Sequence, residues 1–302
     1  MPGGIRGEFG YHDEGKWVSR YGILERITRT DDEDAYECGS YSKRRQYRTQ
    51  TIERPGISPA VLFHLIDHTV FVRLEDVAAN LPPYNEKVHI IGMADEQKAT
   101  YTQFADDLRA AMIEALARGS KRLLGVYLQA LLAYPDNCVK AEEVRDHETG
   151  NVLASAPALP AEVLYPKEEH LVNLARAQRA RGRRVLVYVT HTESRDITPR
   201  LSRILEDAGL RVRVLKANTV KPEARMDWVN EQVKKGLDVL ICHPKLVQTG
   251  LDLVDFPVIY WHEVEYSIYV MRQASRRSWR IGQTRPVDVH FAVYSGTLQQ
   301  EA

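Results

Sequence analysis

From Lys167 to the end of the chain, short apolar runs alternate with amphipathic segments. The runs are four to seven residues long, and the first, residues 185–189, is continuously apolar, which is typical of a parallel strand buried on both faces. The predicted strands cover Val185–Val189, Val212–Leu215, Val239–Cys242, Val258–Trp261 and Val287–Val293. The segments between them read as helices, several of which end at a glycine. This alternation predicts an α/β fold with a doubly wound parallel sheet.

A helical segment precedes this region. Residues 95–118 repeat apolar side chains at helical spacing, and residues 121–133 form a second helical pattern that stops near Tyr134-Pro135. A strand is predicted ahead of them, over Glu86–Met93. Residues 136–166 have few periodic features and several prolines, so we predict a linker there.

The N-terminal part is polar and irregular. A short helix is predicted over Trp17–Ile27, a helix capped by Ser58 near residue 60, and a strand over 68–73. An acidic cluster (residues 31–34) and a basic cluster (residues 42–48) indicate a solvated loop, although the basic cluster could contact a phosphate backbone. The predicted organisation is a partly disordered segment at 1–60, the end of a preceding domain with a helical protrusion at 61–135, a linker at 136–166, and the α/β lobe at 167–302.

Composition narrows the class of protein. The chain has 302 residues and a formal net charge of +0, so any nucleic-acid surface must be a local patch. The three cysteines are scattered and form no Cys-x-x-Cys, which argues against a disulfide framework or a zinc site. No apolar run has the length of a membrane span. We therefore expect a soluble intracellular protein, either cytoplasmic and nucleoid-associated or nuclear.

The main candidates for a ligand-binding site lie in a basic segment near the end of the chain. If residues 266–279 are helical, then Gln273, Arg277 and Arg280 lie at i, i+4 and i+7 and share one face. Guanidinium groups are planar and permanently charged, which suits them to phosphate oxygens. The alternative is a solvated basic helix end that only complements the helix dipole.

The residue pattern of this segment favours phosphate binding over a solvated helix end. The pattern Gln273-Ala274-x-x-Arg277-x-x-Arg280-Ile281-Gly282-Gln283 resembles motif VI of the Swi/Snf-like ATPases of helicase superfamily two. The resemblance implies a second RecA-like lobe, in which Arg277 and Arg280 reach a triphosphate across a cleft and Arg280 is the arginine finger. One departure is Arg276, because the family usually has an acidic residue there.

Two further segments fit the same family. Residues 245–253 resemble motif V, which implies that Gly250 and Asp252, with Gln273 of motif VI, lie on the nucleotide side and that Lys245 faces nucleic acid. Asp252 stands where the family has asparagine, and Gln248 where glycine is usual.

For the other candidate nucleic-acid contacts, a functional and a purely structural interpretation both remain open. Thr190 and His191 follow the first strand of the lobe, at the position of motif IV, where polar groups suit DNA phosphates or simply cap a helix. Tyr266 stands at the place of a family tryptophan and either contacts a duplex or belongs to the core. His262 and Glu263 do not by themselves make a metal site.

The sequence contains no Gly-x-x-x-x-Gly-Lys-Ser/Thr loop and no Asp-Glu-x-His box. The resemblance therefore implies that ATP and Mg²⁺ are bound mainly by a first lobe, that double-stranded DNA and this first lobe are partners, and that the chain alone does not hydrolyse ATP. Two alternatives remain at this point. One is a stand-alone nucleic-acid or protein binding module, and the other is a different Rossmann-like enzyme, which would require a glycine-rich turn where the chain has Thr190-His191.

Overall fold

The computed structural model describes residues 9–10, 12–30, 47–66, 69–70, 72, 81–146, 149–191, 194–247 and 251–302. The acidic cluster, most of the basic cluster, half of the strand predicted over 68–73, and Gly250 lie outside these residues. The chain divides into two compact units, Met1–Val77 and Ala78–Ala302.

The first unit contains a helix and a two-stranded antiparallel ribbon. Helix α1 spans Glu14–Tyr21, strand β1 spans Gly22–Thr30 and strand β2 spans Tyr47–Ile57. The helix predicted over residues 17–27 is therefore wrong beyond Tyr21. Its second half pairs with β2, a long-range contact that local periodicity does not reveal. The predicted cap is confirmed, since Ser58 accepts a hydrogen bond from the Ala60 amide (3.3 Å) before a short helical turn and α2, Leu62–Leu65.

The second unit is built on a parallel sheet, which in the described residues has six strands in the order β3-β10-β9-β6-β8-β7. The strands are β3 (Tyr84–Ile91), β6 (Val185–Tyr188), β7 (Val212–Leu215), β8 (Val239–Cys242), β9 (Val258–Trp261) and β10 (Val287–Tyr294). The predicted α/β class, with a RecA-like lobe preceded by a helical segment, is confirmed. Strand β3 precedes the protrusion in the chain, yet it pairs along its whole length with β10.

Helices cover both faces of this sheet. One face packs against α5 (Pro166–Ala180) and α6 (Thr198–Asp207). The other face packs against α7 (Arg225–Lys234), α8 (Pro244–Val247) and α9 (Ile268–Ser275). Every residue of β6, β8 and β9 is buried, which explains why these strands read as unbroken apolar runs.

The helical protrusion has its own core. Helices α3 (Asp95–Ala117) and α4 (Leu123–Ala133) pack with an antiparallel hairpin formed by β4 (Glu142–Arg145) and β5 (Val152–Ala156). The hairpin lies in residues 136–166, which the sequence predicts as a linker. Its buried side chains, such as Val144 and Ala154, are small and few, so they leave little periodic signal in the sequence.

A buried charge network joins the protrusion to the lobe. The Lys167 ammonium, fully buried at the start of α5, lies 2.8 Å from a carboxylate oxygen of Asp136, which follows α4. It also donates to the side-chain oxygen of Gln299 (3.1 Å), in α10 (Leu298–Glu301), and the Gln299 amide donates to Asp136 (2.7 Å). Burial raises the pKa of Asp136 to about 6, while Lys167 opposes that rise.

We expect Lys167→Met to lower the free energy of unfolding by about 3–5 kcal/mol, because it leaves the Asp136 carboxylate buried without its cation. Chemical denaturation measures this change. Lys235→Met is the matched control: its ammonium pairs with Glu231 on an exposed helix face, and it should cost less than about 1 kcal/mol. Equal losses in the two variants would contradict the importance of the buried network.

A histidine cluster at the β3–β10 edge predicts acid sensitivity. His89 Nε2 lies 2.8 Å from His290 Nδ1, and burial, followed by His89, lowers the pKa of His290 to about 4. The unfolded chain therefore takes up a proton near pH 6.5 that folded His290 does not, so the contribution of His290 to stability falls as pH falls from about 6.5 to about 4, by up to about 1.4 kcal/mol per pH unit. We expect His290→Gln to flatten this slope in denaturation curves recorded across that range. An unchanged slope would contradict the assignment.

Candidate nucleotide and nucleic-acid site

Two buried aromatic side chains hold helix α9 against the carboxyl ends of its neighbouring strands. The Tyr188 hydroxyl donates to the Ala274 carbonyl (3.0 Å), and the Trp261 indole donates to the Ser275 hydroxyl (3.0 Å). Both rings are fully buried, with centroids 4.6 Å apart. The beginning of the basic segment is therefore fixed to β6 and β9.

The basic segment leaves helical geometry earlier than the sequence predicts. Helix α9 ends at Ser275, and the following residues form successive turns, with Arg277 N donating to Ala274 O (3.2 Å) and Gln283 N to Arg280 O (2.9 Å). The prediction of one helical stripe carrying Gln273, Arg277 and Arg280 is therefore wrong. The Ala274 carbonyl already accepts from Tyr188 and Arg277, so the chain turns where a helix would continue.

The side chain of Gln283 holds these turns in place. Its amide group donates to the carbonyls of Val254 (2.8 Å) and Ser278 (2.9 Å), and its oxygen accepts from the amides of Thr284 and Arg285 (3.0 Å each). Gln283 is therefore a structural residue of the motif. Gly282 has φ +100°, a conformation that side-chain-bearing residues rarely adopt, which explains the glycine before it.

Of the two candidate arginines, Arg280 contacts Asp252, and Arg277 lies near enough for its pKa to respond to that carboxylate. The Arg280 guanidinium forms an ion pair with the Asp252 carboxylate. Burial, followed by the nearby charge of Arg280, lowers the pKa of Arg277, while Asp252 opposes this shift. The backbone of the two segments is also joined, because Leu253 N donates to Arg277 O (3.1 Å). Motifs V and VI thus present two guanidiniums and one carboxylate at a single place.

The remaining nucleotide-side candidate lies on α9. The Gln273 amide donates to the Tyr269 hydroxyl (2.5 Å), one helical turn earlier. Tyr269 is 66% exposed, and it lines a surface depression of about 450 Å³ together with Ile268, Arg272, Gln273 and Arg276. Gln273 is therefore at the surface beside the turns that carry the arginines.

The nucleic-acid candidates follow β6 and β8. Thr190 and His191 are half-buried after β6, and their amides donate to the Glu263 carboxylate (2.6 and 2.8 Å). Thr190 also hydrogen-bonds His243, which follows β8, and Lys245 is exposed two residues later. Tyr266 is 66% exposed, so it does not belong to the core. The sheet thus brings Thr190, His191 and the turn before Lys245 together.

Comparison with known proteins agrees with this arrangement. Residues 166–282 match the family described as helicase conserved C-terminal domain. This chain carries a helicase C-terminal lobe. It is distantly homologous to Snf2-family ATPases over most of its length.

Two curated relatives share parts of the sequence. YwqA of Bacillus subtilis, which bears the name of an ATP-dependent helicase/translocase, is 28% identical over 230 residues, covering 76% of this chain and 23% of YwqA. The DNA excision repair protein CSB of Oryza sativa is 24% identical over 267 residues, covering 87% of this chain and 21% of CSB. The chain thus spans less than a quarter of either relative.

Solved structures share the fold. The C-terminal part of the Fun30 ATPase domain superposes with a TM-score of 0.57 at 15% identity, covering 73% of this chain and 88% of that one. The Hef helicase domain of Pyrococcus furiosus gives a TM-score of 0.50 at 15% identity, covering 82% of this chain and 64% of that one.

Two residues of the helicase C-terminal lobe have roles that the sequence did not reveal. Glu263 is buried and holds the Thr190–His191 turn, and burial raises its pKa to about 7. Gln283 belongs to the quoted motif, but its four hydrogen bonds show a role that the motif alone does not indicate. In the part of the chain that the structure describes, no group of three His, Cys, Asp or Glu side chains could hold a metal ion, and no helix is long and apolar enough to cross a membrane.

We expect Gln283→Ala to destabilise the helicase C-terminal lobe by about 2–3 kcal/mol, because it leaves buried backbone groups without partners. Thermal or chemical denaturation measures this loss. Gln103→Ala serves as the control, since Gln103 makes one exposed hydrogen bond within α3. The structural role of Gln283 is refuted if its variant is no less stable than the control.

Proposed function

We propose that this chain is the second motor lobe of an ATP-dependent double-stranded DNA translocase. The observation that carries the proposal is the ion pair between Arg280 and Asp252, together with the hydrogen bond from the Leu253 amide to the Arg277 carbonyl, which joins the two segments that resemble motifs V and VI. The lobe presents cations there, while the sequence has no phosphate-binding loop of its own.

The geometry supports a role for Arg280 as the arginine finger. Its side chain is 40% exposed, so it can meet a ligand from outside the lobe. Its ion pair with Asp252 lies near the surface, and such pairs are weak, about 0–1 kcal/mol. A γ-phosphate carries more negative charge than a carboxylate and can replace Asp252 as the partner of the guanidinium. Positive charge placed there stabilises the transition state of phosphoryl transfer by several kcal/mol.

Arg277 and Gln273 have supporting roles in this proposal. The backbone of Arg277 is fixed, because its carbonyl accepts a hydrogen bond from the Leu253 amide and the next residue, Ser278, is fully buried. A guanidinium on such a fixed backbone can orient the triphosphate with little loss of conformational freedom. Gln273, at the surface of α9, would add an amide donor.

The donor set fits the triphosphate but not the metal. Guanidiniums and amides donate hydrogen bonds to phosphate oxygens. Mg²⁺ requires oxygen ligands, and the described residues group no metal-binding set. Within the proposal, ATP binds between this lobe and a first lobe that supplies the phosphate loop and the metal. This lobe would supply Arg280, Arg277, Gln273 and Asp252, and the resemblance of residues 245–253 to motif V adds Gly250 to the nucleotide side.

The DNA side of the proposal rests on Thr190, His191, Lys245 and Tyr266. The amides of Thr190 and His191 and the Thr190 hydroxyl donate to Glu263, so the half-buried His191 ring is the side chain of this turn that would contact phosphates. Lys245 is an exposed cation, and Tyr266 an exposed aromatic ring. Such groups bind the duplex backbone without reading its sequence, as a translocating motor requires. The names of YwqA and CSB, a helicase/translocase and a DNA excision repair protein, support DNA as the partner.

The proposal predicts a conditional ATPase. The chain alone should show no turnover of ATP, and addition of the first lobe of a Snf2-like motor should produce DNA-stimulated hydrolysis. In that mixture, we expect Arg280→Ala to lower kcat by about 10³-fold or more. Steady-state phosphate release measures both effects.

A matched control is Arg285→Ala. Arg285 is exposed, and its guanidinium donates to the Gly182 carbonyl, next to the amino end of β6. Its activity should stay within about twofold of the parent. Turnover by the chain alone that is lost in Arg280→Ala would contradict the half-site proposal. DNA binding that never supports ATP hydrolysis with any first lobe would favour a stand-alone binding module.

A further inference from the structure

Two carboxylates from different parts of the fold hold the chain on either side of residues 192 and 193, which lie outside the described residues. Glu263, after β9, accepts hydrogen bonds from the amides of Thr190 and His191. Glu142, on hairpin strand β4 of the protrusion, accepts from the Arg195 guanidinium, with Nε at 3.1 and 3.2 Å from its two oxygens and Nη2 at 2.5 Å from one. The lobe therefore holds the chain at residues 190–191, and the protrusion holds it at Arg195.

Both contacts are sheltered from water. Glu263 is 3% exposed, and the Arg195 and Glu142 side chains are 22% and 13% exposed. Charge-assisted hydrogen bonds are stronger than neutral ones, and a forked guanidinium–carboxylate contact fixes orientation as well as distance. These contacts therefore restrain where the segment lies.

The protrusion touches this segment a second time. Lys140, just before β4, donates to the carbonyl of Asp196 (3.2 Å). The Asp196 carboxylate in turn accepts from the Thr198 amide at the start of α6 (2.8 Å) and from the Lys216 ammonium after β7 (2.8 Å). The segment after residue 193 is thus tied to the hairpin on one side and to the lobe on the other.

We propose that Glu142 and Glu263 are positioning residues for the Thr190–His191 turn, and that Glu142 connects the protrusion to the DNA contact of the lobe. Glu263 sets the backbone of the turn, while the Glu142–Arg195 pair fixes the chain four residues after His191. Removal of either carboxylate loosens the turn, and displacement of the hairpin moves it. The DNA part of this inference rests on the proposed function.

The hairpin offers a matched control. Glu143 is the next residue of β4, and its carboxylate pairs with Arg145 of the same strand. That contact is 46–57% exposed and does not involve the lobe. Glu142→Gln and Glu143→Gln therefore remove the same charge from neighbouring positions, and only the first reaches the Arg195 segment.

The experiment compares wild type, these two variants, and the charge exchange Glu142→Arg with Arg195→Glu. Hydrogen exchange of the amides of Thr190, His191 and Arg195 measures the restraint, and fluorescence anisotropy with a labelled duplex measures DNA affinity. Thermal melting shows that each variant is folded. We expect Glu142→Gln to speed amide exchange and weaken DNA binding about three- to tenfold. Glu143→Gln should match wild type, and the charge exchange should restore both readouts most of the way.

The possible results separate this inference from the proposed function. If Glu142→Gln and Glu143→Gln behave alike in amide exchange, or if the charge exchange restores nothing, the positioning role is overturned. If exchange responds but DNA affinity does not, the connection to DNA is overturned. If the wild-type chain binds no duplex at all, the proposed DNA contact of the lobe fails, while amide exchange still decides whether Glu142 positions the turn.

Discussion

The candidate site depends on hydrogen bonds that hold a basic segment in turns above a buried parallel sheet. Tyr188 and Trp261 fix the end of α9, and Gln283 bonds three backbone groups of the turns that follow and the Val254 carbonyl of another loop. These contacts stabilise the turns after Ser275 relative to a continued helix. The turns bring Arg277 and Arg280 to Asp252, which arrives from a different loop. The position of the two arginines thus depends on hydrogen bonds that satisfy polar backbone groups beside the hydrophobic core.

A second constraint is the burial of charge between the protrusion and the lobe. Lys167, Asp136 and Gln299 come from three elements and are almost completely buried. Charges in such surroundings must remain paired, so the elements that carry them cannot separate without a large cost. The protrusion is therefore part of the lobe. The contact of its hairpin with Arg195 extends this connection to the loops at the carboxyl edge.

Much of the fold could be predicted from the sequence, because its strongest signals are local. The strands over residues 212–215, 239–242 and 258–261 have the bounds that their apolar runs indicate, and the last two are buried on both faces. The β4–β5 hairpin was not predicted, because its few buried residues have no clear period and its stability comes from packing against α3 and α4. The prediction that Gln273, Arg277 and Arg280 share one helical face was wrong for a related reason. Tertiary hydrogen bonds outweigh the helical propensity of the residues after Ser275. The motif identified the important residues, while their geometry depended on partners distant in the sequence, such as Tyr188 and Asp252.

The central claim is that the arginines of this lobe complete a nucleotide site whose other half lies on a first lobe. The most direct test is a structure of the two lobes together with duplex DNA and a transition-state analogue of ATP. The account predicts that Arg280 leaves Asp252 and lies within hydrogen-bond distance, about 3 Å, of the γ-phosphate mimic. If Arg280 remains paired with Asp252 in the closed, nucleotide-bound state, the account is contradicted.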